Sequence, residues 1–117
     1  MSGTGEFSEM NNKLLSLLGI ARRAGRLTMG FDAAAESIKK GESKLLLLSD
    51  DLSEKSKKSI GYTAQQNGVE VLITGCTMSD TGNALGRKQT GIISVNDSGF
   101  AKKMKDLCTV NSQEECI

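Results

Sequence analysis

The sequence predicts an α/β protein: a three-layer α/β/α sandwich around a small mixed sheet of about four strands. Three observations lead there. Helical apolar periodicity alternates with short apolar runs in the order α, short β, α, β, α, β, α, β, α. Within Lys44 to Ser49 the four consecutive leucines have the pattern of a strand covered on both faces. A chain of 117 residues, 38% hydrophobic and 25% charged, suits one soluble domain with one modest core.

Taken in order, residues 1–9 (MSGTGEFSE) are small and polar without periodicity, and are expected to be a disordered leader or expression remnant. The single domain is expected over residues 10–108. Leu14, Leu17, Leu18, Ala21 and Ala24 form a helical stripe, widened by Leu15 and Ile20 and stopped by Gly25. Leu27 to Met29 is a short extended link. The next helix follows Gly30, with Phe31, Ala34, Ala35 and Ile38 at i, i+3, i+4 and i+7 as its buried face. Asp32 suits its first turn, Lys39 and Lys40 its last, and Gly41 its left-handed cap.

After the leucine strand, Asp51 or Ser53 is available to cap a polar helix over residues 54–67, whose interior Gly61 weakens it. Val69 to Thr74 reads as the second clear strand, Ser79 to Leu85 as a short helix containing Gly82, and Gly91 to Val95 as the third. Asp97-Ser98 caps a last helix with Phe100, Met104 and Leu107 on one face. Residues 109–117 are expected to be a loose tail.

Several function classes fare badly. Histidine is absent, which removes Cys–His and Ser–His–Asp chemistry and the commonest metal ligand. Cys76, Cys108 and Cys116 lack metal-ligand spacing, and their odd number argues against a disulfide framework. The glycines form no phosphate loop and no dinucleotide fingerprint. Asp50-Asp51 is a carboxylate pair, but adjacent residues at a strand end point apart, and capping suits them better. No apolar run approaches the ~18 residues that span a bilayer, and no secretory signal opens the chain, so the expected location is cytoplasmic. A non-enzyme without cofactor or metal is the expectation.

Charge points toward an anionic partner. The formal net charge is +1. Glu6, Glu9, Glu114 and Glu115 lie in the two ends, which leaves 15 basic against 10 acidic residues over 10–108. Arg22, Arg23 and Arg26 cluster at the end of the first helix, where they either complement its dipole or meet a ligand. The start of the second helix at Gly30, Phe31 and Asp32 offers backbone N–H donors. The glycine-bounded loop Arg87-Lys88-Gln89-Thr90 is expected on the same sheet edge as those groups. One tyrosine, three phenylalanines and no tryptophan are too few for a base-stacking platform, so folded RNA fits better than an extended single strand.

From Lys13 to Leu107 the chain resembles the kink-turn-binding ribosomal protein superfamily (L-seven-Ae/L-thirty-e type), specifically its small bacterial YlxQ-like branch. The resemblance rests on Leu18-Gly19-Ile20-Ala21-Arg22-Arg23-Ala24-Gly25-Arg26-Leu27, on Gly30 with Gly41 eleven residues on, and on Ser43 to Ser53. It continues through Ala84-Leu85-Gly86 and Asp97-Ser98-Gly99-Phe100-Ala101-Lys102. It implies the three-layer fold and binding to structured RNA, kink-turn, kink-turn-like or ribosomal RNA; a cytoplasmic monomer able to associate with the ribosome is the expectation. It also implies that the second helix seats against tandem sheared G·A pairs.

The family's contact motif (glycine, small polar, asparagine, glutamate, two residues, lysine) falls on Gly30, Phe31, Asp32, Ala33 and Glu36, and only the glycine is kept. The second contact region falls on Arg87, Lys88 and Gln89. The RNA-binding candidates are therefore Arg22, Arg23, Arg26, Gly30, Phe31, Asp32, Glu36, Lys40, Arg87, Lys88, Gln89 and Thr90. The alternative is a protein-interaction module or nonspecific RNA binder that kept the fold and lost kink-turn recognition.

Overall fold

A computed structural model describes the backbone of residues 2–116 and the side chains of residues 12–107. The leader expected over 1–9 and the tail expected over 109–117 lie outside the residues whose side chains are described. The elements are α1 (Ser2–Arg23), β1 (Leu27–Met29), α2 (Phe31–Lys39), β2 (Leu45–Leu48), α3 (Glu54–Gln66), β3 (Val71–Ile73), α4 (Met78–Ala84), β4 (Ile92–Val95) and α5 (Ser98–Cys116). This is the α/β alternation read from the sequence.

The strands form one mixed sheet in the order β1-β4-β2-β3. Strand β4 runs antiparallel to both neighbours, with Leu27 and Leu45 both opposite Val95, while β3 lies parallel to β2. Leu45 to Leu48 and Ile92 to Val95 are buried throughout, as expected of central strands. Their side chains alternate between two cores. Leu45, Leu47, Ile93 and Val95 pack with Leu14, Leu18 and Ala21 of α1, Leu85 beyond α4, and Ala101 and Met104 of α5. Leu46, Leu48 and Ile92 pack with Ala34 and Ile38 of α2 and Ile60 and Ala64 of α3. A strand period of two thus feeds helices on both faces, which is the three-layer sandwich.

Local chemistry ends the helices where the sequence predicts. Gly25 adopts φ +72°; its N–H donates to Arg22 O at 3.0 Å, and Arg26 N to Ala21 O at 3.0 Å, a Schellman closure of α1. Ser53 caps α3 by accepting from Ser56 N at 3.2 Å. The carboxylate of Asp97 accepts from Phe100 N at 2.9 Å at the start of α5. Asp51, the other residue available for the α3 cap, instead accepts from Met78 N at 2.8 Å and covers the start of α4 across the sheet rim. Among the described residues, no helix is long and apolar enough to cross a membrane.

Three expectations of burial are corrected. Phe31 is 38% exposed, because it is the first residue of α2 and stands at the rim before the helix passes over the sheet. The buried face of α2 is Ala34, Ser37 and Ile38. Ile20 is 52% exposed and Ala24 is exposed, the latter lying beyond the last residue of α1.

Gly61 lies in α3 with open space where a Cβ would stand. Gly61→Ala is therefore expected to stabilise the protein by about 0.5–1 kcal/mol, read as a higher urea midpoint with an unchanged slope.

Candidate nucleic-acid interface

The topology brings several chain segments to one end of the sheet. The C-terminal ends of β1, β2 and β3 and the N-terminal end of β4 meet there, because β4 alone runs the other way. That end carries the start of α2, the β2–α3 loop, the β3–α4 loop and the α4–β4 loop over residues 85–91.

At the start of α2, Gly30 takes φ +98° and ψ 159°, an extended left-sided conformation suited to glycine. Its N–H donates to Ile92 O at 3.0 Å, and its own carbonyl accepts from Ala34 N at 3.0 Å. The next three amides, of Phe31, Asp32 and Ala33, have no intrahelical acceptor. Helices α3, α4 and α5 each cover part of the same deficit with a side-chain cap, whereas Gly30 provides none. Helix α2 therefore presents uncapped donors and the positive end of its dipole at the rim, beside the exposed ring of Phe31.

The α4–β4 loop is held by the backbone beneath it. Arg87 N donates to Gly82 O at 2.8 Å, Thr90 N to Met78 O at 3.0 Å and Ser49 N to Gly91 O at 2.9 Å. The hydroxyl of buried Ser49 donates to Thr90 O at 3.1 Å. Gly86 supplies the left-handed turn at φ +69°. Arg87, Lys88 and Gln89 project from this frame and are exposed. Thr90 does not: it is 4% exposed, and its hydroxyl has no hydrogen-bond partner among the described residues. Its predicted contact role is corrected to an anchoring one, because its carbonyl and amide tie the loop to Ser49 and Met78.

The remaining candidates are spread further than expected. Glu36 is exposed and pairs with Lys40 at 2.7 Å, one turn along α2. The Lys40 hydrogen bond, then its charge, holds the Glu36 carboxyl below its ordinary value, and Glu36 raises Lys40 in the same way. Lys40 is the C-cap of α2 and stands at the opposite end of the sheet from Gly30. Arg22, Arg23 and Arg26 are exposed, but they too stand at that opposite end. Arg26 O accepts from Asn96 N at 2.8 Å, beyond the last residue of β4, whereas Gly30 meets Ile92 at its first. The expectation that these arginines share an edge with Gly30 and Arg87 is corrected: the whole length of β1 intervenes, about 13 Å for four extended residue steps.

The residues that shape the frame leave little trace in the sequence. Ser49, Gly82 and Gly91 act across long separations, and only the glycines left a signal, as breaks in otherwise regular patterns. A Cβ on Gly82 would lie 2.6 Å from Lys88 O, and one on Gly91 would lie 2.8 Å from Leu52 Cδ1. A polar network is equally silent in the sequence. Asn96 Nδ2 donates to Thr28 Oγ1 at 2.7 Å, Ser37 Oγ donates to the same oxygen at 3.1 Å, and Ser94 Oγ donates to Asn96 Oδ1 at 2.7 Å. It pins α2 to β1 and β4 and so sets where Gly30 points.

Gly82→Ala is expected to displace the Lys88–Gln89 backbone and to destabilise the fold by about 1–3 kcal/mol, the usual cost of overpacking a rigid site. Urea unfolding measures the loss.

The comparisons with known proteins agree with this architecture. The chain is 31% identical over 97 residues to the RNA-binding protein YlxQ of Enterococcus faecium, covering 81% of this chain and 90% of that protein. It is 29% identical over 96 residues to the RNA-binding protein YlxQ of Bacillus subtilis (strain 168), covering 78% and 90%. A solved structure of a protein with unknown function from Bacillus halodurans superposes with a TM-score of 0.77 at 31% identity, covering 83% of this chain and 97% of the other. Residues 12–105 match the Ribosomal protein L7Ae/L30e/S12e/Gadd45 family, and the chain belongs to that family.

Proposed function

We propose that this protein binds structured RNA of the kink-turn type, seated where α2 begins. The observation that carries the reading is the uncapped start of α2, set at the same rim as a backbone-anchored loop that projects Arg87, Lys88 and Gln89. Amides of Phe31 to Ala33 would donate to an electron-rich groove or phosphate, and Arg87 and Lys88 would meet flanking phosphates. The named RNA-binding relatives, aligned over most of their length, support the class of partner. The ring of Phe31 offers an apolar surface to an unstacked base, in place of the small polar residue of the family motif.

Recognition in this chain rests on main-chain donors and cations. Helix α2 carries a carboxylate at Glu36, where the family motif has lysine, and the Lys40 ion pair occupies it. In a cytoplasmic, ribosome-associated setting the protein would then grip a kinked RNA chiefly by shape and charge.

Calorimetric titration of a standard kink-turn RNA against a scrambled hairpin tests the reading. A clear preference for the kink-turn supports it, and equal weak binding to both points instead to a nonspecific binder that retains only the fold. Arg87→Glu with Lys88→Glu is expected to weaken binding and to lower the salt slope by about two, near one per lost phosphate contact. Glu36→Lys is expected to tighten kink-turn binding severalfold, by exchanging a repelled carboxylate for a cation on the same helix face; a band-shift titration measures it.

A further inference from the structure

The end of the sheet away from Gly30 carries a second cationic surface. Arg22, Arg23 and Arg26 have neither an ion pair nor a side-chain hydrogen bond among the described residues. They are not needed to close α1, because Gly25 and Arg26 amides already satisfy the Arg22 and Ala21 carbonyls. No carbonyl cap therefore occupies these three guanidiniums, and a favourable helix dipole leaves their N–H donors open. Lys44 extends the patch: its amide donates to Val95 O at 2.7 Å, so it flanks the end of β4 on one side as Arg26 does on the other. Lys102 lines a shallow depression with Lys44 at the start of α5.

The local carboxylates are mostly engaged. Glu36 pairs with Lys40 at 2.7 Å and Glu70 with Lys105 at 2.9 Å, and Asp97 caps α5. Glu42 is the remaining exposed carboxylate on the loop before β2. The Gly30 end is different. There Asp32, Asp50, Asp51, Glu54 and Asp80 stand among Lys55, Lys57, Arg87 and Lys88, a nearly balanced mixture. Most of the excess positive charge of the folded body thus sits at the end where α1 stops.

We propose that Arg22, Arg23 and Arg26, with Lys44 and Lys102, form a second RNA contact that holds the phosphate backbone of a segment distinct from the one seated on α2. The proposal rests on the RNA-binding reading above and extends it. Exposed arginines without an ion pair among the described residues suit phosphates, which they meet through two parallel N–H donors, and they read no sequence. The corner lies about 13 Å from Gly30 along β1, so one folded RNA can engage both ends. The division of labour follows from the charges: the α2 end recognises shape, and the arginine corner supplies the larger share of salt-dependent affinity.

The test is the triple variant Arg22→Gln, Arg23→Gln, Arg26→Gln, all exposed positions, with its fold checked by circular dichroism and thermal melting. Wild type, this variant and Arg87→Gln with Lys88→Gln are titrated at several salt concentrations with a kink-turn RNA on long stems and with its scrambled counterpart. The expected result is a salt slope reduced by about two to three in the triple variant, more than in the loop variant, with the kink-turn preference intact. A wild type that prefers the kink-turn while the folded triple variant keeps the full slope overturns the second contact alone. A wild type that binds neither RNA overturns the functional reading, and this contact with it.

Discussion

Both ends of this molecule are organised by hydrogen bonds to strand β4, the central antiparallel strand. At its entry, Ile92 O receives Gly30 N, Gly91 O receives Ser49 N, and Thr90 O receives the Ser49 hydroxyl. At its exit, Val95 O receives Lys44 N and Asn96 N reaches Arg26 O. Because β4 opposes the direction of its neighbours, its two ends select which loops become companions. The start of α2 joins the 85–91 loop at one rim, and the end of α1 joins the start of β2 at the other. Burial of β4 on both faces makes this arrangement costly to disturb.

A rigid frame of this kind explains how a helix start can remain uncapped. Helices α3, α4 and α5 satisfy part of their orphan donors locally or, through Asp51, across the rim. Helix α2 is held instead by the Thr28–Ser37–Ser94–Asn96 network and by Gly30, neither of which covers the amides of residues 31–33. Donors left open but held in place suit the proposed RNA seat, since little ordering remains to be done on binding. The distribution of charge adds the complementary half, with the excess of positive over negative side chains among the described residues lying where α1 ends.

Much of the fold was legible because its signals are local. The leucine run of β2, the Ser53 and Asp97 caps and the Gly25 and Gly41 stops each act within a few residues, and all stand where the patterns placed them. The candidate site was legible only in part, because it depends on separations that periodicity does not encode. Helical spacing put Phe31 inside, but the sheet ends before the first turn of α2 reaches it. Basic residues near Gly30 in sequence looked like neighbours of the α2 start, yet three residues of extended β1 carry the arginines to the other end. Thr90 looked like part of an exposed polar loop, whereas contacts to Ser49 and Met78 draw it inward. Gly82 shows in the sequence only as a glycine inside a short helix, yet a Cβ there would meet the Lys88 backbone at 2.6 Å.

Amide-resolved NMR during titration with a kink-turn RNA tests the α2 seat, since it reads the main-chain donors themselves. The largest perturbations are expected at the amides of Phe31, Asp32 and Ala33 and across Arg87 to Gln89. Saturable binding that leaves those amides unmoved, with perturbations confined to other surfaces, would contradict that seat.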